Sequence, residues 1–518
     1  MSRNGWLPHE VYLLLCVCLA QVITSADNIT TALSIKEIMS FFDVDRAVGQ
    51  MIASLYSVIC ASLMIISGVL GYFLNWKKIF QFGLCFTFLG EVFAIASSDF
   101  LTFVGLSRVF FGIGASLILP ACVSLLSTVI KKNNRVLAFS IWGTSVAVIV
   151  AVFPLLLNVL HQYWEWRSGY IILAALSLLV LVISLKMPEP EFLVSDVKIN
   201  ISESVIVFIT LFLFLLSVVL TPKLGFLVPS ISIGVNIFDI VSIPLLLFLI
   251  SMSIFIIYLN NKRSYKNSVI PSSFYSVTSL CGFYMLALLY VVYGGVLFVI
   301  ISYISFGGYS SITLALSTTI FAISMFFSSV FSATVLHSQT SRELNTKGLG
   351  LISISLLSLA FVIEPQTPSY HFYVALIPIG IGCGFIATKI NLVINQSVGI
   401  TFSGQSSGAQ ASAKNIGYVL GVISFSMLLT YITKYEFVEV VTNNMKLSNI
   451  DNVVVNGFDF MDDKQVIEYF ERFSIVYDKT ELITINNFIK AKSMSTVLLV
   501  GSVLTMLSIP IGNKVASC

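Results

Sequence analysis

Long apolar runs separated by short polar breaks set the pattern of this chain, and the length of the runs decides its class. A run of about 20 apolar residues is long enough to cross a bilayer as a helix. Fourteen such runs occur, near 11–34, 48–73, 79–98, 101–130, 136–160 and 168–186, then 204–221 and 236–259, then 276–304, 311–335, 346–364, 371–394, 408–433 and 493–511. The polar stretch MPEPEFLVSDVKINISES follows the sixth. The pattern predicts an all-α polytopic membrane protein: a six-helix bundle over 1–190, a two-helix insert over 191–271 and a second six-helix bundle over 272–518. The first run, from Val11 towards Ser34, has no small-residue cleavage site before Asp27 and reads as a transmembrane helix more than a signal peptide.

Orientation follows from where Lys and Arg gather in the short loops. With the N-terminus inside, the cytoplasmic connections hold Lys77 and Lys78, then Lys131, Lys132 and Arg135, then Lys186 and Lys198, then Lys262, Arg263 and Lys266, then Arg342 and Lys347. The short outer loops hold only Lys36, Arg46, Arg167 and Lys223, so both termini are expected in the cytoplasm and the chain in the inner (cytoplasmic) membrane. The one long polar segment, 434–492, then faces outward. Val466, Ile467, Phe470 and Phe473 share a helical face, which predicts a short helix near Asp462–Phe473. The segment reads either as a solvated loop or hairpin, or as a docking surface for an envelope partner.

Composition narrows the function. Of 518 residues 57% are hydrophobic and 10% charged, where a soluble domain has about 25% charged. The formal charge of +3 with no basic stripe gives no reason to expect nucleic acid. Seven of the eight cysteines (all but Cys518) fall inside apolar runs without a CxxC, and the four histidines lie near predicted helix ends, so neither a disulfide framework nor a metal site is indicated. No catalytic or nucleotide-binding constellation occurs, and neither an enzyme nor a cofactor is expected.

The candidate chemistry lies in the few charges within the runs. Arg108 interrupts LSRVFFGIGASLILP (106–120), and a charge at such depth costs at least about 2.5–3.5 kcal/mol, so it is retained where it faces a bundle interior or a water-filled path. The following Gly112, Gly114, Ala115 and Ser116 form a small-residue patch that lets a neighbouring helix come close. Asp27, Glu91 and Arg108 each lie seven residues from the outer end of their run, about 10 Å deep at the helical rise. Equal depth allows a buried ion pair, in which one carboxylate stays ionised beside the arginine while the other is free to titrate. Asp27, set among Ser25, Asn28, Thr30 and Thr31, reads as cavity-facing; Glu91 reads equally well as reaching toward headgroups.

In the second half the signs reverse. Lys389 and Lys414 each lie about six residues from the cytoplasmic end of their runs, and two readings stay open: long stems that snorkel to the inner headgroups, or an inner cationic pair facing the cavity, with Asn391 beside Lys389. On the second reading the substrate is neutral, zwitterionic or anionic. The run Pro378, Gly380, Gly382, Gly384 lacks the strand and the Lys-Ser/Thr ending of a phosphate loop and reads as close helix packing.

Taken together these segments resemble the fourteen-helix drug:proton antiporter family of the major facilitator superfamily, over nearly the whole chain. ADNITTALSI (26–35) looks like its first-helix acidic motif, Tyr56 and Gly68 match its second helix, and LSRVFFGIGA (106–115) looks like its fourth-helix arginine motif with Phe111 in place of glutamine. RVLAFSIWG (135–143), WEWRSGYII (164–172) and GAQASAKNIGYVLGV (408–422) resemble further segments. Two departures stand out. Tyr72 and Phe73 replace the Asp and Arg of the loop after the second helix, leaving Lys77 and Lys78; and FPLLLN (153–158) keeps Pro154 of the fifth-helix motif but has Phe153, Leu157 and Asn158 where the family has glycines. The resemblance implies secondary active export of a small organic molecule, drug-like or siderophore-type, across the lipid bilayer and driven by the proton gradient. Asp27, Arg108 and Glu91 would couple proton and substrate, with Asp27 titrating and Arg108 holding the counter-charge; Tyr56, Lys389, Asn391 and Lys414 would bind substrate; Gly68, Lys77, Lys78, Gly112 and Pro154 would serve the conformational change. The lost glycines leave antiport, symport and uniport open, and a transport-silent receptor or regulator, or a partner within an envelope assembly, is the alternative reading.

Overall fold

The structure, a computed structural model, describes residues 7–71, 73–163, 165–188, 200–227, 241–261, 268–336, 338–398, 403–443, 458–473 and 478–514. Tyr72, Lys198, Lys262, Arg263 and Lys266 lie outside the described residues. The elements are α1 (Pro8–Leu33), α2 (Ile35–Phe42), α3 (Arg46–Leu70), α4 (Trp76–Ala96), α5 (Thr102–Val129), α6 (Lys132–Tyr163), α7 (Ser168–Ser184), α8 (Ile201–Leu224), α9 (Ile243–Asn261), α10 (Val277–Phe306), α11 (Ser311–Thr334), α12 (Ser341–Val362), α13 (Ser369–Val398), α14 (Ser403–Asn443), α15 (Asp463–Arg472) and α16 (Lys479–Leu507). Among the described residues thirteen helices are long and apolar enough to cross a membrane, and α7 is a shorter apolar one. Each of the fourteen apolar runs meets one of these fourteen helices. The all-helical form follows from the solvent: in hydrocarbon every backbone N–H and C=O must find its partner inside the segment.

Contacts gather these helices into two compact units, Met1–Tyr290 with Ile390–Leu420, and Val291–Lys389 with Gly421–Cys518. This is a different cut from the six-two-six order along the chain, because it passes through α10, α13 and α14. In the first unit α5 packs on α4 and α3, α1 on α6 and α7, and the insert helix α8 on α3 and α9. The backbones of α4 and α5 nearly touch: a Cβ added to Gly114 would fall 2.6 Å from the Gly83 carbonyl oxygen, so only small residues fit that crossing. Glu203, fully buried, ties the insert together by accepting from Tyr258 Oη at 2.9 Å, Ser268 Oγ at 2.6 Å and the Val269 amide at 2.8 Å.

In the second unit the glycine run of α13 is packing surface, since a Cβ on Gly382 would lie 2.4 Å from the Gly348 carbonyl oxygen of α12. The segment 434–492 departs from the loop or hairpin expected of it. Helix α14 continues to Asn443 and α16 begins at Lys479, so both spanning helices run on into the polar region. The reason is a local core that hydropathy averaging conceals: Phe437, Phe458, Val466, Phe470, Leu482 and Ile489 are buried together, and the Phe437 and Phe458 rings stack at 3.8 Å. The short helix expected near Asp462–Phe473 is α15, opened by a capping box in which Asp462 Oδ1 accepts from the Gln465 amide at 2.8 Å. Lys490, buried in α16, clamps this module by donating to the Phe306 carbonyl at 3.0 Å and to Asp463 Oδ1 at 3.2 Å.

Candidate functional site

Arg108 closes a π-helical turn, Thr102–Arg108, at the start of α5. Such turns are uncommon and gather at functional sites, because the extra residue per turn re-aims a side chain. Here it aims the guanidinium into the first unit, where Arg108 and Asp27 are each 1% exposed and Glu91 is fully buried. Arg108 Nη1 donates to Asp27 Oδ1 at 2.9 Å, to Asp27 Oδ2 at 3.1 Å and to Thr31 Oγ1 at 3.0 Å, while Nη2 donates to Ser107 Oγ at 3.0 Å. Thr31 Oγ1 and Tyr170 Oη are 3.1 Å apart, which links α1 to α7. The rings of Phe103, Tyr170 and Phe111 stand 5.0, 5.1 and 5.8 Å from the guanidinium carbon, so the cation is met by aromatic faces where it is not hydrogen-bonded.

Glu91 completes the group without joining the network. It lies near enough to Arg108 and Asp27 for its charge to be felt by both. Yet among the described residues neither of its carboxylate oxygens has a hydrogen-bond partner, and Arg108 Nε is also unpaired. Asp27, the carboxylate expected to titrate, is thus the one held on the arginine, and Glu91 is the one beside it. Glu91 does not reach headgroups. An ionised carboxylate buried without a donor is very costly, whereas a carboxylic acid there is tolerated.

The remaining expected residues sit as follows. The Tyr56 side chain packs against Phe111 at 5.4 Å between ring centroids. Gly112 meets Ile59 and the Tyr56 carbonyl, and Gly68 is buried in α3. Lys77 donates to the carbonyls of Leu185 at 3.2 Å and Met187 at 2.7 Å, capping the end of α7, while Lys78 is exposed. Pro154 is buried in α6; the bulky Phe153 and Leu157 beside it fill the seam with Ala26 and Leu173, where glycines would bring the helices closer. Lys389 is bonded to the Gln339 carbonyl in the connection between α11 and α12, which removes it from the expected cationic pair. Lys414 sits over the Tyr290 ring, 5.9 Å from its centroid. Asn391 keeps a buried Oδ1 with no partner among the described residues. From the sequence Thr31 figures only as a neighbour of Asp27, one helical turn away, and Tyr170 only within the segment 164–172; neither is expected there as a partner in the Arg108 group.

A profile of the Major Facilitator Superfamily matches residues 15–422. The riboflavin transporter RibZ of Clostridioides difficile (strain 630) is 20% identical over 178 residues, 34% of this chain and 39% of that protein. The methyl viologen resistance protein SmvA of Salmonella typhimurium (strain 14028s / SGSC 2262) is 24% identical over 172 residues, 32% of this chain and 34% of that protein. The match thus spans little more than a third of these relatives' length. Among solved structures, a POT family transporter in complex with a thioalcohol-conjugated peptide superposes with a TM-score of 0.62 at 13% identity, over 96% of each chain. A bacterial homolog of the human lysosomal transporter Spinster, inward-facing and unoccupied, gives a TM-score of 0.60 at 14% identity over 98% of each chain. At such identity the structures speak for the fold alone, and the profile match, covering most of the chain, speaks for descent. This chain belongs to the Major Facilitator Superfamily of membrane transporters, and it is not an enzyme.

Proposed function

We propose that this chain is a proton-coupled exporter of a small organic molecule, of the fourteen-helix drug:proton antiporter type, in a cell membrane with both termini cytoplasmic. The observation that carries the reading is Glu91: a fully buried carboxyl group without a donor on either oxygen among the described residues, beside an Arg108–Asp27 pair already joined through Nη1. A proton on Glu91 removes a charge that has no partner. Loss of that proton puts a second negative charge within electrostatic reach of Arg108, so protonation and the arrangement around the arginine are linked. That linkage is what coupling needs. The relatives named for riboflavin transport and methyl viologen resistance support a small organic substrate.

The test compares the small-molecule pools of cells carrying the protein, lacking it, and carrying Glu91→Gln. One or more compounds should accumulate in the lacking strain and equally with Glu91→Gln, and a protonophore should reproduce that accumulation in the complete strain. Identical pools in all three would contradict export and favour a receptor or regulator.

A further inference from the structure

We infer that Lys414 is an anion-recognition residue and that the substrate carries an acidic group on an aromatic or apolar body. The inference deepens the transporter reading and rests on it. Helix α14 makes two tight seams within the first unit. Toward α3, a Cβ on Gly408 would fall 2.8 Å from the Met64 carbonyl oxygen, Ser412 Oγ bonds the Ala61 carbonyl, and Asn415 Nδ2 lies 3.5 Å from Met64 Sδ. Toward α10, a Cβ on Gly417 would fall 2.1 Å from the Ala287 carbonyl oxygen. With 3.6 residues per turn, Gly408 and Ser412 point one way and Gly417 about half a turn away, which leaves Lys414 and Tyr418 on the strip between the seams. Tyr418 is within electrostatic reach of Tyr56, and Tyr56 of Asp27. Lys414 therefore shares its strip of α14 with a residue whose charge is felt toward the Arg108 group.

Its surroundings lack an anion. Among the described residues no carboxylate or carbonyl oxygen accepts from Lys414 Nζ, and its contact is the Tyr290 ring. Gln410, one turn away on the same strip, has its amide committed to Asn395 Oδ1 at 2.7 Å and Ser406 Oγ at 2.9 Å. Snorkelling does not account for the placement: Tyr290, whose ring lies 5.9 Å from the amine, is about 20 Å along α10 from Val277 by the helical rise. A partly buried ammonium on an aromatic face, with hydrogen-bonding capacity unspent, suits a carboxylate, sulfonate or phosphate.

The experiment uses the full chain purified in detergent and measures equilibrium binding of anionic fluorescein and cationic ethidium by fluorescence polarisation, for the wild type, Lys414→Gln and Lys414→Arg. Fluorescein should bind the wild type, weaken roughly tenfold or more with Lys414→Gln, as expected for a charge-assisted contact, and recover with Lys414→Arg, while ethidium binding does not weaken. Failure of the wild type to bind fluorescein, or equal binding by Lys414→Gln, would overturn the inference. Displacement of fluorescein by dihexanoyl phosphatidylglycerol at lower concentration than by unlabelled fluorescein would assign the cation to a lipid headgroup and overturn it too. No gradient is applied, so the result does not depend on whether Glu91 couples a proton.

Discussion

Arg108, Asp27 and Glu91 differ in what each loses when altered, and that difference separates their roles. Asp27→Asn leaves a buried guanidinium without its counter-charge and should destabilise the protein by about 3–5 kcal/mol, the range for breaking a buried pair. The double variant Asp27→Leu with Arg108→Met should unfold at a higher temperature than either single variant, because both charges leave together. Glu91→Gln removes no hydrogen bond and should leave thermal stability close to the wild type while abolishing coupled transport. A dye-monitored melt of the wild type, Asp27→Asn, Asp27→Leu, Arg108→Met, the double variant and Glu91→Gln checks the stabilities, and a flux assay of Glu91→Gln checks the loss of coupling. At this scale the sequence showed three charges at one depth. It did not show which carboxylate takes the arginine, because that depends on rotation of α1 and α4 about their axes and on Thr31, Tyr170 and Phe103 closing around the guanidinium.

Among the elements, the spanning helices were legible because a bilayer demands length and apolarity, both of which a sequence displays directly. The extensions of α14 and α16 were not, since Phe437, Leu482 and Ile489 are spaced among charged residues that lower the average. Phe470→Ala in α15 should open a cavity costing about 3–5 kcal/mol in that small core. Limited proteolysis should then cut within α15 in the variant and spare α15 in the wild type. The α1–α6 seam makes the opposite kind of prediction. Leu157→Gly restores a residue type of the antiporter motif, yet Ala26, Phe153 and Leu173 are packed to meet a leucine, so the change should cost at least about 2–5 kcal/mol rather than tighten the seam. A higher melting temperature for that variant would show that α1 closes onto α6 instead.

For the whole molecule, the seam of α3 with α14 is the feature on which alternating access bears most directly, because repeat-based transporters rock packed helices about a central site. Replacing Ala61 and Ser412 by cysteine in a background free of the native cysteines tests this seam, where the Ser412 hydroxyl reaches the Ala61 carbonyl and a disulfide formed under mild oxidation would lock it. Transport should be lost on oxidation and recovered on reduction; undiminished export by the cross-linked protein would mean that this seam stays closed throughout the cycle. The central claim, that Glu91 holds the exchangeable proton while Asp27 remains on Arg108, is tested most directly by infrared difference spectroscopy of the purified protein in light and heavy water. The account predicts a carboxylic-acid C=O band that shifts in heavy water, disappears in Glu91→Gln and persists in Asp27→Asn; a band that persists in Glu91→Gln and disappears in Asp27→Asn would contradict it.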